Sequence, residues 1–210
     1  MPIIPAREAL DKLREGNLRF QASVGSTGAV GQLRPVELLA DQEPFAIILG
    51  CSDSRVPAEI VFDQGLGDLF VIRVAGNIVA PSQVGSIEFA ASRFGTRLVV
   101  VLGHSRCGAI LATLDELRRP SDTQSRNLRS IVDRVRPSVE ELLDTELKND
   151  MDKLVRTAVR QNIRASVNQL KHGSAILEQL IREGGLAVVG AEYHLGTGAV
   201  EFFDGLGEIR

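Results

Sequence analysis

Residues 98–109 read LVVVLGHSRCGA: five apolar residues, a glycine, a histidine, and a cysteine three positions further on, followed again by glycine. The apolar run lacks the in-and-out alternation of a half-exposed strand, which predicts a strand buried on both faces of a parallel sheet. Gly108–Arg118, directly after it, has the apolar spacing of a crossover helix. FAIILG at 45–50, LFVIRV at 69–74 and LAVVGA at 186–191 read as three further strands. Between them, Pro57–Phe62 and Gln83–Phe94 suit helices, with Pro57 and Pro81 near first turns, where the missing N–H costs nothing. AVEFFD at 199–204 follows a Gly196-Thr197-Gly198 turn and predicts a strand hairpinned onto the last parallel one. Strand–helix alternation of this kind specifies an α/β fold: four parallel strands plus an antiparallel edge strand, flanked by helices.

Outside the sheet, Ala9, Leu10, Leu13 and Leu18 recur at helical spacing and predict an amphipathic helix over 6–21, slightly weakened by Gly16. Ser23–Gly31 has turn composition and no apolar period. It is expected to be a loop able to wrap a partner subunit, part of an N-terminal helical arm over 1–40. The segment 126–183 is strongly helical, two or three helices with a break at Pro137. The 210 residues suit a single domain over 1–210.

Charge narrows the partners. Lys+Arg total 24 against Asp+Glu 27, a net charge of −3, with no Trp, one Tyr and no basic run, so neither nucleic acid nor an anionic membrane surface is an expected partner. The longest apolar runs, five residues each at 45–49 and 98–102, fall far short of the roughly 18 a membrane span requires. MPIIPAREAL has no basic region ahead of an apolar stretch, so no secretory signal is read and the expected compartment is the cytoplasm. In a reducing compartment two cysteines are more often ligands, nucleophiles or buried thiols than a disulfide.

Both cysteines lie where chemistry collects in such folds, just beyond strand carboxyl ends near a switch point. One strand runs out into GCSDSR (50–55) and another into GHSRCG (103–108). If those strands are neighbours, Cys51, His104 and Cys107 meet. Two thiolates and an imidazole favour zinc, and three protein ligands leave a fourth, catalytic position open. A structural zinc would need a fourth Cys or His, which neither cluster has. A Cys51–His104 nucleophilic dyad would leave Cys107 unexplained, and a Cys51–Cys107 disulfide conflicts with the compartment. In an extended segment Asp53 and Arg55 would project on the same side as Cys51. The planar fork of Arg55 could then hold the Asp53 carboxylate off the metal.

Four blocks, EGNLRF (15–20), CSDSRVPAEIVFDQGLGDLFVIRVAGN (51–77), GSIEFA (85–90) and VVLGHSRCGA (100–109), resemble the β-class carbonic anhydrases over nearly the whole chain. The resemblance implies Zn2+ held by Cys51, His104 and Cys107, with Asp53 and Arg55 as a catalytic dyad. It implies reversible CO2 hydration by hydroxide on the metal, CO2 and bicarbonate as ligands, and a homodimer or dimer-based tetramer whose N-terminal helix reaches across to the partner. Gln42 and the Gly108 backbone N–H are the candidates for polarising substrate. Ile48, Phe70, Val74 and Val79 are expected to line its apolar side. Arg73 and Tyr193 match two members of a pocket in which bicarbonate inhibits one branch of the family. Ile48 stands where that pocket has tryptophan, so a constitutively open site is expected. His172 and His194 fall in stretches not placed near the site. Hydrolysis of carbon disulfide or carbonyl sulfide, or an inactive zinc-binding regulatory role, are the alternatives.

Overall fold

The computed structural model describes residues 3–23, 42–120 and 125–209. Five strands form one sheet: β1 (Ala46–Gly50), β2 (Leu69–Arg73), β3 (Leu98–His104), β4 (Ala187–Tyr193) and β5 (Val200–Asp204), in the order β2-β1-β3-β4-β5. The first four are parallel and β5 runs antiparallel to β4, as the run and hairpin signals predict. Every residue of β1, β3 and β4 is buried.

Burial on two faces creates two apolar layers. Ile47, Leu49, Val99, Val101 and Val188 face α3 (Pro81–Arg93), α4 (Gly108–Arg118), α6 (Met151–His172) and α7 (Ala175–Glu183). The alternate residues Ala46, Ile48, Leu98, Val100 and Val189 face α1 (Ala6–Ser23) and the short α2 (Ala58–Val61). The segment 126–183 resolves into α5 (Arg126–Val135), three short 3-10 turns between 136 and 149, then α6 and α7. Pro137 ends the helical run by sitting in the first of those turns.

Three expectations need correction. Leu18 belongs to the helical period of α1 but is exposed; the buried stripe is Ala6, Ala9, Leu10 and Leu13, continued by Gly16 and Asn17. Gly16 is a packing requirement, since a Cβ there would lie 1.8 Å from the Phe62 carbonyl oxygen at the end of α2. Asn17 then donates to the Val61 and Gly198 carbonyls and accepts from Val200 N–H, so α1 is tied to its own sheet. Of the expected arm, this helix is described; Gly25–Gly31, and the reach across to a partner, lie outside the described residues. Finally, the segment 51–55 does not stay extended to its end: residues 54 and 55 turn. Val56 N–H donates to the Asp53 carbonyl and Arg55 N–H to Asp53 Oδ1, closing a turn just past β1.

Candidate metal centre

Register brings the two strand ends together. Gly50 of β1 pairs with Leu102 of β3, while β2 lies beyond β1 and β4 beyond β3. Chain connections therefore diverge between β1 and β3, the crevice in which open α/β sheets bind ligands. Cys51 is the first residue past β1, His104 the last of β3, and Cys107 the N-cap of α4.

All three side chains are buried, and their donor atoms lie within 4.8 Å of one another. Cys51 Sγ and Cys107 Sγ are 3.9 Å apart. Two sulfurs about 2.3 Å from one tetrahedral ion stand about 3.8 Å apart, so this spacing fits zinc with little adjustment. His104 Nδ1 lies 3.0 Å from the Ser105 carbonyl oxygen; donation there leaves Nε2 with a free lone pair. That Nε2 is buried without a hydrogen-bond partner among the described residues. An orphaned imidazole nitrogen facing two thiols is a donor set for a soft divalent cation.

Local backbone prepares the sulfurs for negative charge. Cys51 Sγ accepts from Gly76 N–H at 3.4 Å, and the Ile110 and Ala109 amides at the start of α4 favour the anionic form of Cys107, as does the helix dipole there. Donation from Cys107 draws the Cys51 thiol down to about 4, against burial and with help from His104 and the Gly76 and Asp53 amides. The same contact, together with burial, pushes Cys107 up. Neighbouring buried thiols ionise together only when a cation sits between them. Burial opposes charging the His104 ring, but the nearby Cys51 sulfur and its negative charge, with the Ser105 carbonyl and Asp53, outweigh it and raise the pKa.

Beside the cluster, Arg55 Nε donates to Asp53 Oδ1 at 2.9 Å and Nη2 to Oδ2 at 2.7 Å, a two-pronged clamp. Arg55 thereby holds the Asp53 carboxyl well below the usual carboxylate range. Asp53 Oδ2 stands 3.8 Å from His104 Nε2, beside the cluster but not one of the three donors that come within 4.8 Å of one another. Arg73 donates to the carbonyls of Cys51 (3.0 Å) and Asp53 (2.6 Å), bracing the turn that carries both side chains. That brace was not legible from the sequence, where an arginine ending a strand has many possible uses.

Gly108 is the exposed first residue of α4, with open space beside its Cα. Gln42 is not brought to the cluster within one chain. It is exposed four residues before β1, separated from Cys51 by the length of a five-residue strand, roughly 16 Å. Phe70, Val74 and Val79 belong to the layer that contains Cys51 and Cys107. Ile48 does not: its side chain points into the opposite layer with Tyr193, which corrects its expected place beside substrate. His194 lies nearer than expected, lining a cavity of about 520 Å³ with Ser105 and Arg106 from the loop between His104 and Cys107.

A Cys2His cluster at the switch point of a 2-1-3-4-5 sheet, flanked by an arginine-clamped aspartate, defines a metalloenzyme-type site of the α/β class. Known proteins match the chain over most of its length. Residues 46–200 match the family described as carbonic anhydrase. A carbonic anhydrase of Mycolicibacterium smegmatis is 42% identical over 94% of this chain and 93% of its own. Carbonic anhydrase 2 of Mycobacterium tuberculosis is 38% identical over 100% of this chain and 98% of its own. Among solved structures, the β-carbonic anhydrase CafA of Aspergillus fumigatus superposes with a TM-score of 0.72 at 26% identity, covering 95% of this chain and 90% of that one. A tetrameric β-carbonic anhydrase of Sordaria macrospora gives 0.69 at 28% identity, covering 80% and 84%. The chain belongs to the β-carbonic anhydrase family.

Proposed function

We propose that this chain catalyses the reversible hydration of CO2 to bicarbonate and a proton, with Cys51, His104 and Cys107 holding zinc. The observation that carries the proposal is the sulfur–sulfur spacing of 3.9 Å beside a free His104 Nε2 and a clamped Asp53. Zinc bound there would lower the pKa of a water ligand to about 7, the figure characteristic of carbonic anhydrases themselves, and so supply hydroxide near neutral pH.

The chain's own residues do the rest. Asp53, ionised and fixed by Arg55, accepts a hydrogen bond from the attacking oxygen and turns its lone pair toward the substrate carbon. The same clamp keeps the carboxylate from occupying the fourth position. Gly108 N–H donates to a substrate oxygen, and Phe70, Val74 and Val79 supply an apolar side that suits an uncharged linear molecule. Gln42, remote in its own chain, is supplied by a second copy, which supports a homodimer or dimer-based tetramer working as single-domain protomers; the Sordaria macrospora relative is tetrameric. Among the described residues no helix is long and apolar enough to cross a membrane.

Stopped-flow CO2 hydration alongside metal content tests the proposal. One zinc per chain with rapid hydration is expected, and chelation should abolish turnover until zinc is restored. Turnover of carbon disulfide or carbonyl sulfide in preference to CO2 would replace it. Zinc without any turnover would point instead to a regulatory protein, a role that has no use for the Asp53–Arg55 clamp.

A further inference from the structure

Two buried polar side chains of α6, Asn162 and Ser166, stand one helical turn apart and reach the same short turn, Ala75–Asn77. Asn162 Nδ2 donates to the Gly76 carbonyl at 2.8 Å, and Ser166 Oγ donates to the Asn77 carbonyl at 3.1 Å. The Gly76 carbonyl accepts only from the amide nitrogen, which fixes the orientation of the Asn162 side chain; Ser138 Oγ, 3.5 Å from Asn162 Oδ1, gives its proton to the Val135 carbonyl at 2.7 Å. On the far side of this turn, Gly76 N–H donates to Cys51 Sγ at 3.4 Å.

The turn does not hold itself in this shape. Gly76 (φ 70°) and Asn77 (φ 44°) are consecutive left-handed residues; asparagine tolerates that conformation better than other residues with a side chain, but two in succession are unusual. A Cβ on Gly76 would also meet Ala109 Cβ at a tight 3.1 Å and be strained at φ 70°, so glycine is favoured here between the turn and α4. Pinning the carbonyls of 76 and 77 fixes the two peptide planes after the Gly76 Cα, which leaves the Gly76 N–H, in the plane before it, only the rotation at Gly76 itself by which to turn away from the sulfur.

We propose that Asn162 and Ser166 are positioning residues for the metal centre: by clamping the Ala75–Asn77 turn they hold the Gly76 N–H on the Cys51 sulfur and set how strongly that thiolate donates to the metal. This rests on Cys51, His104 and Cys107 holding zinc. A thiolate that accepts an N–H bond gives less charge to its ion, and with two thiolates in the set such moderation keeps the ion electrophilic. Partners in the outer shell of a metal are typically worth about 10–100-fold in affinity or activity.

The test replaces zinc with Co(II) in the purified protein, whose sulfur-to-cobalt charge-transfer band reports thiolate donation directly, and measures zinc affinity by competition with a chromophoric chelator. Ser166→Ala and Asn162→Leu are expected to shift the band to longer wavelength, as the released thiolate donates more strongly, and to weaken zinc binding about tenfold or more, because the turn no longer holds Cys51 in place for the ion. Ser166→Thr, which retains the hydroxyl, should keep wild-type values. An unmoved band in the folded Ala and Leu variants overturns the proposal, even if zinc affinity falls, because a merely structural α6 contact would weaken the site without changing sulfur donation. A Thr variant shifted as far as Ala overturns it too. Should Asn162→Leu fail to fold, Ser166→Ala removes one clamp only and decides the matter with the same two readouts. A wild-type chain that binds neither zinc nor Co(II) overturns the metal site itself, whereas variants that match a metal-binding wild type overturn only the role of α6.

Discussion

Asp53→Ala separates chemistry from metal binding. Asp53 Oδ2 is the carboxylate oxygen facing the cluster, 3.8 Å from His104 Nε2, and its side chain is 17% exposed. A group that positions a proton-bearing nucleophile contributes about 10²–10⁴-fold to rate, or about 3–5 kcal/mol of barrier. The ligands, by contrast, are held by groups the substitution leaves alone. Cys51 keeps Gly76 N–H, Cys107 keeps the amides of Ala109 and Ile110, and His104 keeps the Ser105 carbonyl. The turn keeps Val56 N–H and Arg73 on the residue 53 carbonyl. Arg55, 56% exposed, returns its charge to water. The expected outcome in stopped-flow hydration is kcat/KM lower by about 10²–10⁴, with one zinc per chain and a melting temperature within about 2 °C of wild type. Asp53→Asn, which preserves shape without charge, should lose a similar amount. A loss smaller than about tenfold, or loss of zinc, would refute the assigned role.

Glu192 is 1% exposed, with both carboxylate oxygens lacking hydrogen bonds among the described residues and Arg160 Nε 3.9 Å away. Burial pushes its pKa up, opposed by His194, Arg160 and Arg156 and assisted by Glu201. A raised carboxyl pKa contributes stability at acid pH that is lost as pH rises through it. Glu192→Gln should therefore raise stability by about 1–3 kcal/mol at pH 8 and by less at pH 5, read from urea unfolding at the two pH values; a larger gain at pH 5 would contradict the sign. Gly16→Ala should cost about 1–3 kcal/mol or more in the same assay despite alanine's better helix propensity, because its Cβ would meet the Phe62 carbonyl at 1.8 Å; a stabilised variant would show that α1 and α2 are not so closely apposed. Gln42→Ala should lower kcat/KM about 10²-fold with zinc content unchanged, the size of effect expected of an oxyanion donor; an unchanged kcat/KM would remove Gln42 from the site.

The sheet was legible because buried parallel strands advertise themselves as unbroken apolar runs, and LVVVL ending in GHSRC could only place its ligands at a strand end. Even strand adjacency followed, since Cys51 and Cys107 make chemical sense together. Face assignment was harder. Alternation is invisible in a strand that is apolar on both sides, so the pattern could not tell that Ile48 faces α1 while Leu49 and Cys51 face α3 and α6.

Local composition thus determined the strands and the helices between them and set the candidate donors at strand ends, because those depend on neighbours a few residues away. Tertiary structure alone decided what surrounds the donors. Gly76 lies 25 residues from Cys51, Asn162 lies 86 from Gly76, and Arg73 lies 20 from Asp53. A hydrogen bond across such separations leaves no period or spacing in a sequence; it exists only once the sheet has set one element against another.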